Sequence, residues 1–192
     1  MKRSAGILLP ISSLPSPYGI GTMGKAAYDF IDFLVEAKQS WWQILPAGPT
    51  SYGDSPYQSF STYAGNPYFI DLDMLIEDGL LEADDLKGIK WNNNATYVDY
   101  SRIYNNRFTV LAKAKERGWE RDAAEVAEFM KKNSRWLPNY TMYMAVKRHF
   151  GMKAWTEWDE DIRMRRPAAL AKYAELCKED IELFTYIQFL FF

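Results

Sequence analysis

Residues 47–68 read AGPTSYGDSPYQSFSTYAGNPY, and this segment decides the fold together with the run before it. It combines turn-forming Gly, Pro, Asp and Asn residues with several tyrosines and serines. Such a composition predicts a rigid surface loop rich in ring faces and hydroxyl groups. The preceding run, SWWQILP at residues 40–46, is short, mostly apolar and ended by Pro46. It predicts a buried strand that leads into the loop.

The position of the 47–68 loop indicates a binding role. Loops at the C-terminal ends of parallel strands carry the sites of α/β enzymes. Ring faces and hydroxyl groups suit a polar ligand with apolar faces, and a sugar ring is such a ligand. A structural loop packed by its own side chains accounts for the same composition, so both interpretations stay open at this point.

The chain before the loop predicts a βαβ unit. Residues 5–11 form an apolar run of strand length, followed by a loop rich in Ser, Pro and Gly. Between residues 24 and 39, apolar residues recur at helical spacing with charged residues between them. The apolar positions are Ala27, Phe30, Ile31, Leu34 and Val35. This helix leads into the 40–46 strand, and the unit is expected to cross over right-handed.

The chain after the loop is predicted to be mainly helical. A short strand or a turn of helix is expected at residues 69–81 and a polar loop at 91–100. Helices are predicted at residues 101–117, 122–132 and 139–150, with one or two more at 168–192. In the helix that begins at residue 101, the candidate buried positions are Ile103, Phe108, Leu111 and Ala112.

The last residues carry apolar side chains around most of the predicted helix. They read FTYIQFLFF, with no glycine, basic last turn or polar tail. An exposed surface of this kind invites association. We therefore expect a further segment to cover it.

Composition and charge exclude several classes of protein. The net charge of −2 and the scattered Lys and Arg residues do not suggest a nucleic-acid or membrane-surface binder. With one cysteine, Cys177, and one histidine, His149, neither an internal disulfide nor a Cys/His metal cluster is expected. No run reads as a signal peptide or reaches the roughly 20 residues that span a bilayer, so a cytoplasmic location is expected.

Two long stretches resemble a known enzyme family. They read GILLPISSLPSPYGIGTMG at residues 6–24 and QILPAGPTSYGDSPYQSFSTYAGNPYFIDLD at residues 43–73. Both are similar to the N-terminal part of the 4-alpha-glucanotransferases, also called amylomaltases or disproportionating enzymes, which form glycoside hydrolase family 77. Weaker similarity continues through NSRWLPNYTMYMAVK at 133–147 and AWTEWDEDIRMR at 154–165.

The resemblance implies an α/β fold. The chain would form the N-terminal part of a (β/α)8 TIM barrel, its first two strands, with an inserted mainly α-helical subdomain. Residues 1–70 are expected to hold the first βαβ portion with a glucan-binding loop. Residues 71–192 are expected to hold the inserted subdomain and the helix that leads to a missing third strand. Because a whole barrel of this kind needs roughly 200 to more than 400 residues, an N-terminal fragment is expected.

The resemblance also implies an activity. Family members transfer α-1,4-glucan segments between maltooligosaccharides by a retaining double displacement, without a metal or organic cofactor. Their nucleophilic Asp, acid/base Glu and second Asp lie on later strands, so we assign no catalytic residue to this chain. The expected partners are α-1,4-glucans and maltooligosaccharides, and the fragment alone is expected to be inactive.

Substrate-binding residues are expected in the 47–68 loop. By resemblance, Ser55, Tyr57 and Gln58 line the glucan groove, where a tyrosine ring can cover a glucose face and hydroxyl or amide groups bond its OH groups. Tyr52 matches an aromatic residue associated with a second glucan-binding surface. Asp54 could contact sugar, although an Asp between Gly and Ser also suits a turn cap.

Several other residues have structural interpretations. Asn66 is read as a turn former and His149 as a helix cap or surface group. Five tryptophans could stack on sugars, but most of them are interpreted as packing residues: Trp41, Trp42, Trp136, Trp155 and Trp158.

A different class of protein remains as an alternative. The chain could be a self-contained, non-catalytic glucan-binding or helical interaction module. Such a module should unfold cooperatively as a monomer, whereas a severed barrel should aggregate or stay molten.

Overall fold

The computed structural model describes residues 3–51, 53–92, 94 and 96–192. Contacts divide the chain into two compact units, Met1–Gly118 with Phe191 and Trp119–Leu190 with Phe192. The division expected from the resemblance, into residues 1–70 and residues 71–192, stays a prediction. The strands and helices of the described ranges are β1 Gly6–Leu8, α1 Lys25–Glu36, β2 Trp41–Gln43, α2 Leu72–Glu77, α3 Tyr100–Gly118, α4 Ala123–Lys132, α5 Leu137–His149, α6 Glu160–Arg163, α7 Pro167–Leu176 and α8 Lys178–Phe191.

The two strands form a parallel pair, as the predicted βαβ unit requires. Gly6 pairs with Trp41 and Leu8 with Gln43, while α1 connects the strands. The prediction that the second strand is buried is wrong, because the Trp41 side chain is 67% exposed. Within the described residues, β2 has one neighbouring strand and packs against α1, which leaves much of its surface uncovered.

Helix α1 forms where the apolar spacing predicts it. Ala27 and Leu34 are buried, whereas Ile31 and Val35 are exposed. Phe30 is half-buried and meets Trp42 edge to face, with the ring centroids 5.0 Å apart. The predicted apolar stripe of α1 is therefore wider than the part of this helix that the described residues bury.

Helix α3 supplies the core of the first unit. Ile103 and Leu111 are fully buried, as predicted, together with Val110 and Ala114. The predictions for Phe108 and Ala112 are wrong, because both are only half-buried. Ala112 lies about 100° beyond Leu111 around the helix, on the side away from Val110 and the rest of the buried stripe. Leu72, Leu80 and Leu81 of the preceding segment are fully or nearly fully buried as well.

The second unit is built from helices alone. Helix α7 packs against α5 and α6. The predicted start of α5 at residue 139 is wrong by two residues, since Pro138 lies inside the first turn. Proline is tolerated there because the first turn does not use its N–H groups within the helix.

The last predicted helices are present as α7 and α8. The expectation that the apolar surface of α8 is exposed is wrong for most of the helix. Leu183 through Gln188 are buried, whereas Phe192, just after the helix, is exposed. In the second unit, the Tyr186 hydroxyl donates a 2.6 Å hydrogen bond to the Asp122 carboxylate. This bond satisfies a phenol that has no solvent exposure.

Candidate functional site

A small cavity of about 70 Å³ lies at the C-terminal ends of both strands. Residues that follow β1 (Pro10, Ile11 and Ser12) form one side, and Leu45 and Pro46, which follow β2, form another. The 47–68 loop contributes further lining residues, namely Thr50, Asp54, Pro56 and Asn66. The space holds one or two water-sized groups and is too small for a sugar ring.

The first half of the 47–68 loop is a short closed turn. Thr50 and Ser59 form an antiparallel bridge, and the Ser51 N–H donates to the Gln58 carbonyl at 3.0 Å. Gly53 and Asp54 both adopt positive φ, +89° and +55°, which tightens the turn. A non-glycine residue in this left-handed conformation is uncommon, and Asp is among the types that tolerate it. Asp54 lies in this turn between Gly53, a predicted turn former, and Ser55, a predicted substrate-binding residue.

Asp54 takes part in the turn through its backbone, since its N–H donates to the Ser51 carbonyl at 3.0 Å. It is also one of the residues that line the cavity. Burial raises the pKa of the Asp54 carboxyl above its ordinary value, and the Thr50 side chain opposes this shift. Burial and then the Asp54 charge raise the pKa of Tyr68 and of Tyr100. The turn-capping and the sugar-binding roles of Asp54 both stay predictions.

Three of the predicted substrate-binding residues follow one another closely in the turn, and two of them are exposed whereas Ser55 is half-buried. The Tyr57 side chain is 73% exposed, and Gln58 is exposed beside it. The Ser55 hydroxyl oxygen accepts a 3.3 Å hydrogen bond from the Tyr57 N–H, which leaves the hydroxyl proton available to a ligand. Tyr52, predicted for a second glucan-binding surface, lies outside the described residues.

The second half of the loop is committed to its own structure. The Ser59 hydroxyl donates to the Ser61 carbonyl at 2.7 Å, and the Ser61 hydroxyl accepts from the Tyr63 N–H at 3.1 Å. Asn66 is the predicted turn former, and its side chain accepts a 3.0 Å hydrogen bond from the Tyr68 N–H. Hydrogen bonds within the loop thus involve side chains in both halves, and the side chains that remain exposed include those of Tyr57, Gln58 and Tyr63.

Comparison with known proteins decides the family. The sequence model of glycoside hydrolase family 77, described as 4-alpha-glucanotransferase, matches residues 9–192. The chain belongs to this family. Curated relatives of the same description agree along the whole chain: the 4-alpha-glucanotransferase of Streptococcus pneumoniae serotype 4 is 51% identical over 100% of this chain and that of Clostridium butyricum 46% identical over 95%.

A solved structure of this family has the same fold. The amylomaltase from Streptococcus agalactiae in complex with acarbose superposes with a TM-score of 0.94 at 42% identity, over 99% of this chain. Among the described residues, the structure is rich in helices, and its parallel strand pair fits the start of a barrel.

The chain spans 37–39% of the length of these family members. This coverage agrees with the predicted N-terminal fragment and does not favour the alternative of a self-contained module. Within the described ranges, no cluster of three or more His, Cys, Asp or Glu side chains could hold a metal ion. No helix in those ranges is long and apolar enough to cross a membrane.

Helix α3 carries a buried arginine, Arg107, that was not predicted from the sequence. Arg107 of α3 has no solvent exposure, and its Nη1 donates to the Ile70 carbonyl at 3.1 Å. Its guanidinium lies over the Trp91 ring, 5.4 Å from the centroid, an arrangement that stabilises a cation. Burial lowers the pKa of Arg107 to about 10, while the nearby Asp71 opposes the shift. The spacing of Ile103, Arg107 and Leu111 was the signal that could have found it.

Proposed function

We propose that this chain is the N-terminal portion of a 4-alpha-glucanotransferase and supplies part of its glucan groove. Its β1, α1 and β2 would be the first βαβ unit of a (β/α)8 barrel, and the helical part of the chain an inserted subdomain. The single observation that carries the proposal is the exposure of the Tyr57 and Gln58 side chains next to the half-buried Ser55, in the loop that follows β2.

The proposed contacts follow from the chemistry of the three side chains. The exposed Tyr57 ring offers a flat apolar face to the C–H face of a glucose unit. The Ser55 hydroxyl and the Gln58 amide offer donors and acceptors to the sugar OH groups. Asp54 lies one residue before Ser55 with its carboxyl at the small cavity. It would accept a hydrogen bond from a sugar OH, directly or through a water molecule in the cavity.

The proposed reaction of the whole protein is a retaining transfer. An aspartate would attack the anomeric carbon, forming a glycosyl-enzyme ester, while a glutamic acid donates its proton to the departing glycosidic oxygen. The same glutamate would then remove the proton of an acceptor glucan hydroxyl, whose oxygen displaces the aspartate. None of these carboxylates is assigned to residues 1–192. The contribution of this chain would be to bind and orient the glucan.

Two measurements on the purified 192-residue chain test the proposal. Incubation with maltotriose should release no glucose and form no longer oligosaccharide. Titration with maltoheptaose should move the backbone amide NMR signals of Gly53, Asp54, Ser55, Tyr57 and Gln58, and the Tyr57→Ala variant should weaken this response. Cellohexaose, a β-linked glucan of similar size, serves as the matched control ligand. Equal shifts with both glucans, or none with maltoheptaose, would contradict the proposed role of the loop.

A further inference from the structure

The second unit contains a larger cavity that the proposed glucan groove does not include. Its volume is about 350 Å³, within the range of roughly 300 to 1,000 Å³ that is typical of small-molecule sites. All of its lining residues lie between positions 142 and 170, so the cavity belongs to one unit. The cavity is therefore a property of the helical part of the chain.

Aromatic rings form much of the cavity wall. Tyr143, Trp155 and Trp158 line it, and Trp155 is 52% exposed. Trp158 is held rigidly, since its ring stacks on Phe150 with centroids 5.8 Å apart and meets Tyr143 at 5.4 Å. Fixed ring faces beside an accessible one suit a flat, ring-shaped ligand.

Two guanidinium groups lie in the same wall. Arg163 donates to the Thr156 carbonyl at 3.0 Å and Arg165 to the Asn139 side-chain oxygen at 2.7 Å. Among the described residues, neither forms an ion pair with a carboxylate. Each guanidinium has five N–H donors, so most of them stay available to a ligand. The rest of the lining is aliphatic or methionine, and no carboxylate contributes.

One polar group of this wall is unsatisfied. The buried Trp158 Nε1–H has no hydrogen-bond partner among the described residues, and such a group costs free energy. Because Nε1 is itself buried, an acceptor on a ligand reaches it only if a neighbouring side chain shifts on binding. The positive φ of Arg165, +54°, belongs to the end of α6, where the Arg165 and Arg166 N–H groups donate to the Ile162 and Asp161 carbonyls.

We infer that this cavity binds a small ring compound that carries an oxyanion, such as a phosphorylated monosaccharide. The ring packs against Trp155 and Tyr143, and the oxyanion accepts charge-assisted hydrogen bonds from Arg163 and Arg165. A neutral sugar fits less well, because the lining offers donors almost exclusively and sugar hydroxyls also need acceptors. Phosphorylated sugars and aromatic phosphates share this chemistry, so the experiment separates them.

The test follows the seven tryptophan indole N–H signals by NMR during ligand titrations of the 192-residue chain. Trp158→Phe assigns the reporter signal, and calorimetry on the unsubstituted chain measures affinity independently of that assignment. The probes are glucose 1-phosphate, phenyl phosphate, glucose and inorganic phosphate. At least one ring phosphate should move the Trp158 signal saturably, with a Kd of about 1 mM or below, while glucose and inorganic phosphate bind at least about tenfold more weakly.

Matched arginine variants locate the oxyanion. Arg163→Gln and Arg165→Gln should each weaken binding by about tenfold, the loss expected for one charge-assisted hydrogen bond. Arg166→Gln is the control, because Arg166 pairs with Glu160 and does not line the cavity; its affinity should stay within about twofold. Binding of glucose as tight as its phosphate, loss of affinity in the Arg166 variant alone, or no saturable binding of either ring phosphate overturns the inference.

Discussion

The guanidinium of Arg107 donates a 3.1 Å hydrogen bond to the main-chain carbonyl of Ile70, 37 residues earlier in the chain. Ile70 directly follows the Pro67–Phe69 turn that closes the 47–68 loop. A fully buried cation thus supports the end of the proposed glucan-binding loop. The Nε and Nη2 atoms of Arg107 have no hydrogen-bond partner among the described residues, so the favourable contacts rest on this bond and on Trp91.

Replacing Arg107 should separate packing from charge. Arg107→Ala should lower the free energy of unfolding by about 2–5 kcal/mol, because it leaves a cavity under Trp91 and removes the bond to Ile70. Arg107→Met keeps much of the volume without the buried charge and should lose at least about 1 kcal/mol less. Urea unfolding followed by circular dichroism measures both. Arg102 lies on the same helix as Arg107, and Arg102→Ala, which breaks a partly exposed ion pair with Asp99 just before that helix, should cost under about 1 kcal/mol. Equal losses in the two Arg107 variants would contradict this account.

Asp85 should make stability depend on acid pH. Its carboxylate pairs with Arg117 and Lys113, and the hydrogen bond from Arg117 is the largest cause that holds the pKa of Asp85 below its ordinary value. A lowered folded-state pKa gives stability above the unfolded pKa of about 4, and that stability is lost as the pH falls toward the folded-state value. Asp85→Asn should therefore lower Tm at pH 7, with a difference from wild type that shrinks below pH 4. Asp84→Asn, whose side chain is 86% exposed, should show no such convergence.

Asp54 should show the opposite dependence. Burial raises the pKa of its carboxyl, so its ionised form is less favourable in the folded chain than in the unfolded chain. Its contribution to stability is fully present below the unfolded pKa of about 4 and is lost as the pH rises through the folded-state value. Asp54→Asn should raise Tm relative to wild type at pH 7, and this gain should vanish by about pH 3. A gain that is independent of pH would mean that burial of the charge is not its cause.

Gly21 lies where no side chain fits. A Cβ atom at this position would lie 2.0 Å from the Ile11 carbonyl oxygen and 2.8 Å from the Leu14 nitrogen. Gly21→Ala should therefore lower the free energy of unfolding by about 2–3 kcal/mol, because the clash is with backbone. Gly79→Ala is the comparison: Gly79 has φ +71° and open space around it, so only the conformational cost of about 1 kcal/mol applies. Thermal unfolding of both variants decides, and a smaller loss at Gly21 would contradict the predicted clash.

Tyr57 should contribute to binding and not to folding. Tyr57→Ala should weaken maltoheptaose binding by about tenfold, the loss expected when one aromatic platform is removed, and leave Tm unchanged because the ring is 73% exposed. Tyr28→Ala removes a tyrosine of α1 that is 59% exposed and should change neither quantity. Calorimetric titration and thermal unfolding measure the two. A large fall in Tm for Tyr57→Ala would assign the ring to packing.

The regular elements could be predicted because their signals are local. Apolar spacing indicated α1, and glycine or proline marked the ends of several helices within a few residues. The predicted start of α5 failed because Pro138 suits two positions, the residue before a helix and its first turn, and the sequence does not distinguish them. The exposure of Trp41 and Ile31 could not be predicted, because it depends on which elements cover them.

The candidate site was less predictable than the fold. The types of residue in the loop indicated that it could bind a sugar, but not that the hydroxyl groups of Ser55, Ser59 and Ser61 all bond within the loop. The composition also did not predict the positive φ of both Gly53 and Asp54 in the turn that the bridge between Thr50 and Ser59 closes. The cavity beside Trp158 was missed because its lining comes from three separate segments.

Two arginines bind helix α3 to two main-chain positions of the preceding segment, so the spacing of the arginines must match the spacing of those positions. Arg107 donates to the Ile70 carbonyl and Arg117 to the Leu80 carbonyl, so ten residues of helix match ten residues of the preceding segment. Inserting or deleting one residue between the arginines would rotate the second by about 100° around the helix axis and shift it by about 1.5 Å. Both bonds could then no longer form together. The number of residues between Arg107 and Arg117 is therefore constrained by two main-chain carbonyls, in addition to the constraint that the buried Val110, Leu111 and Ala114 place on side-chain type.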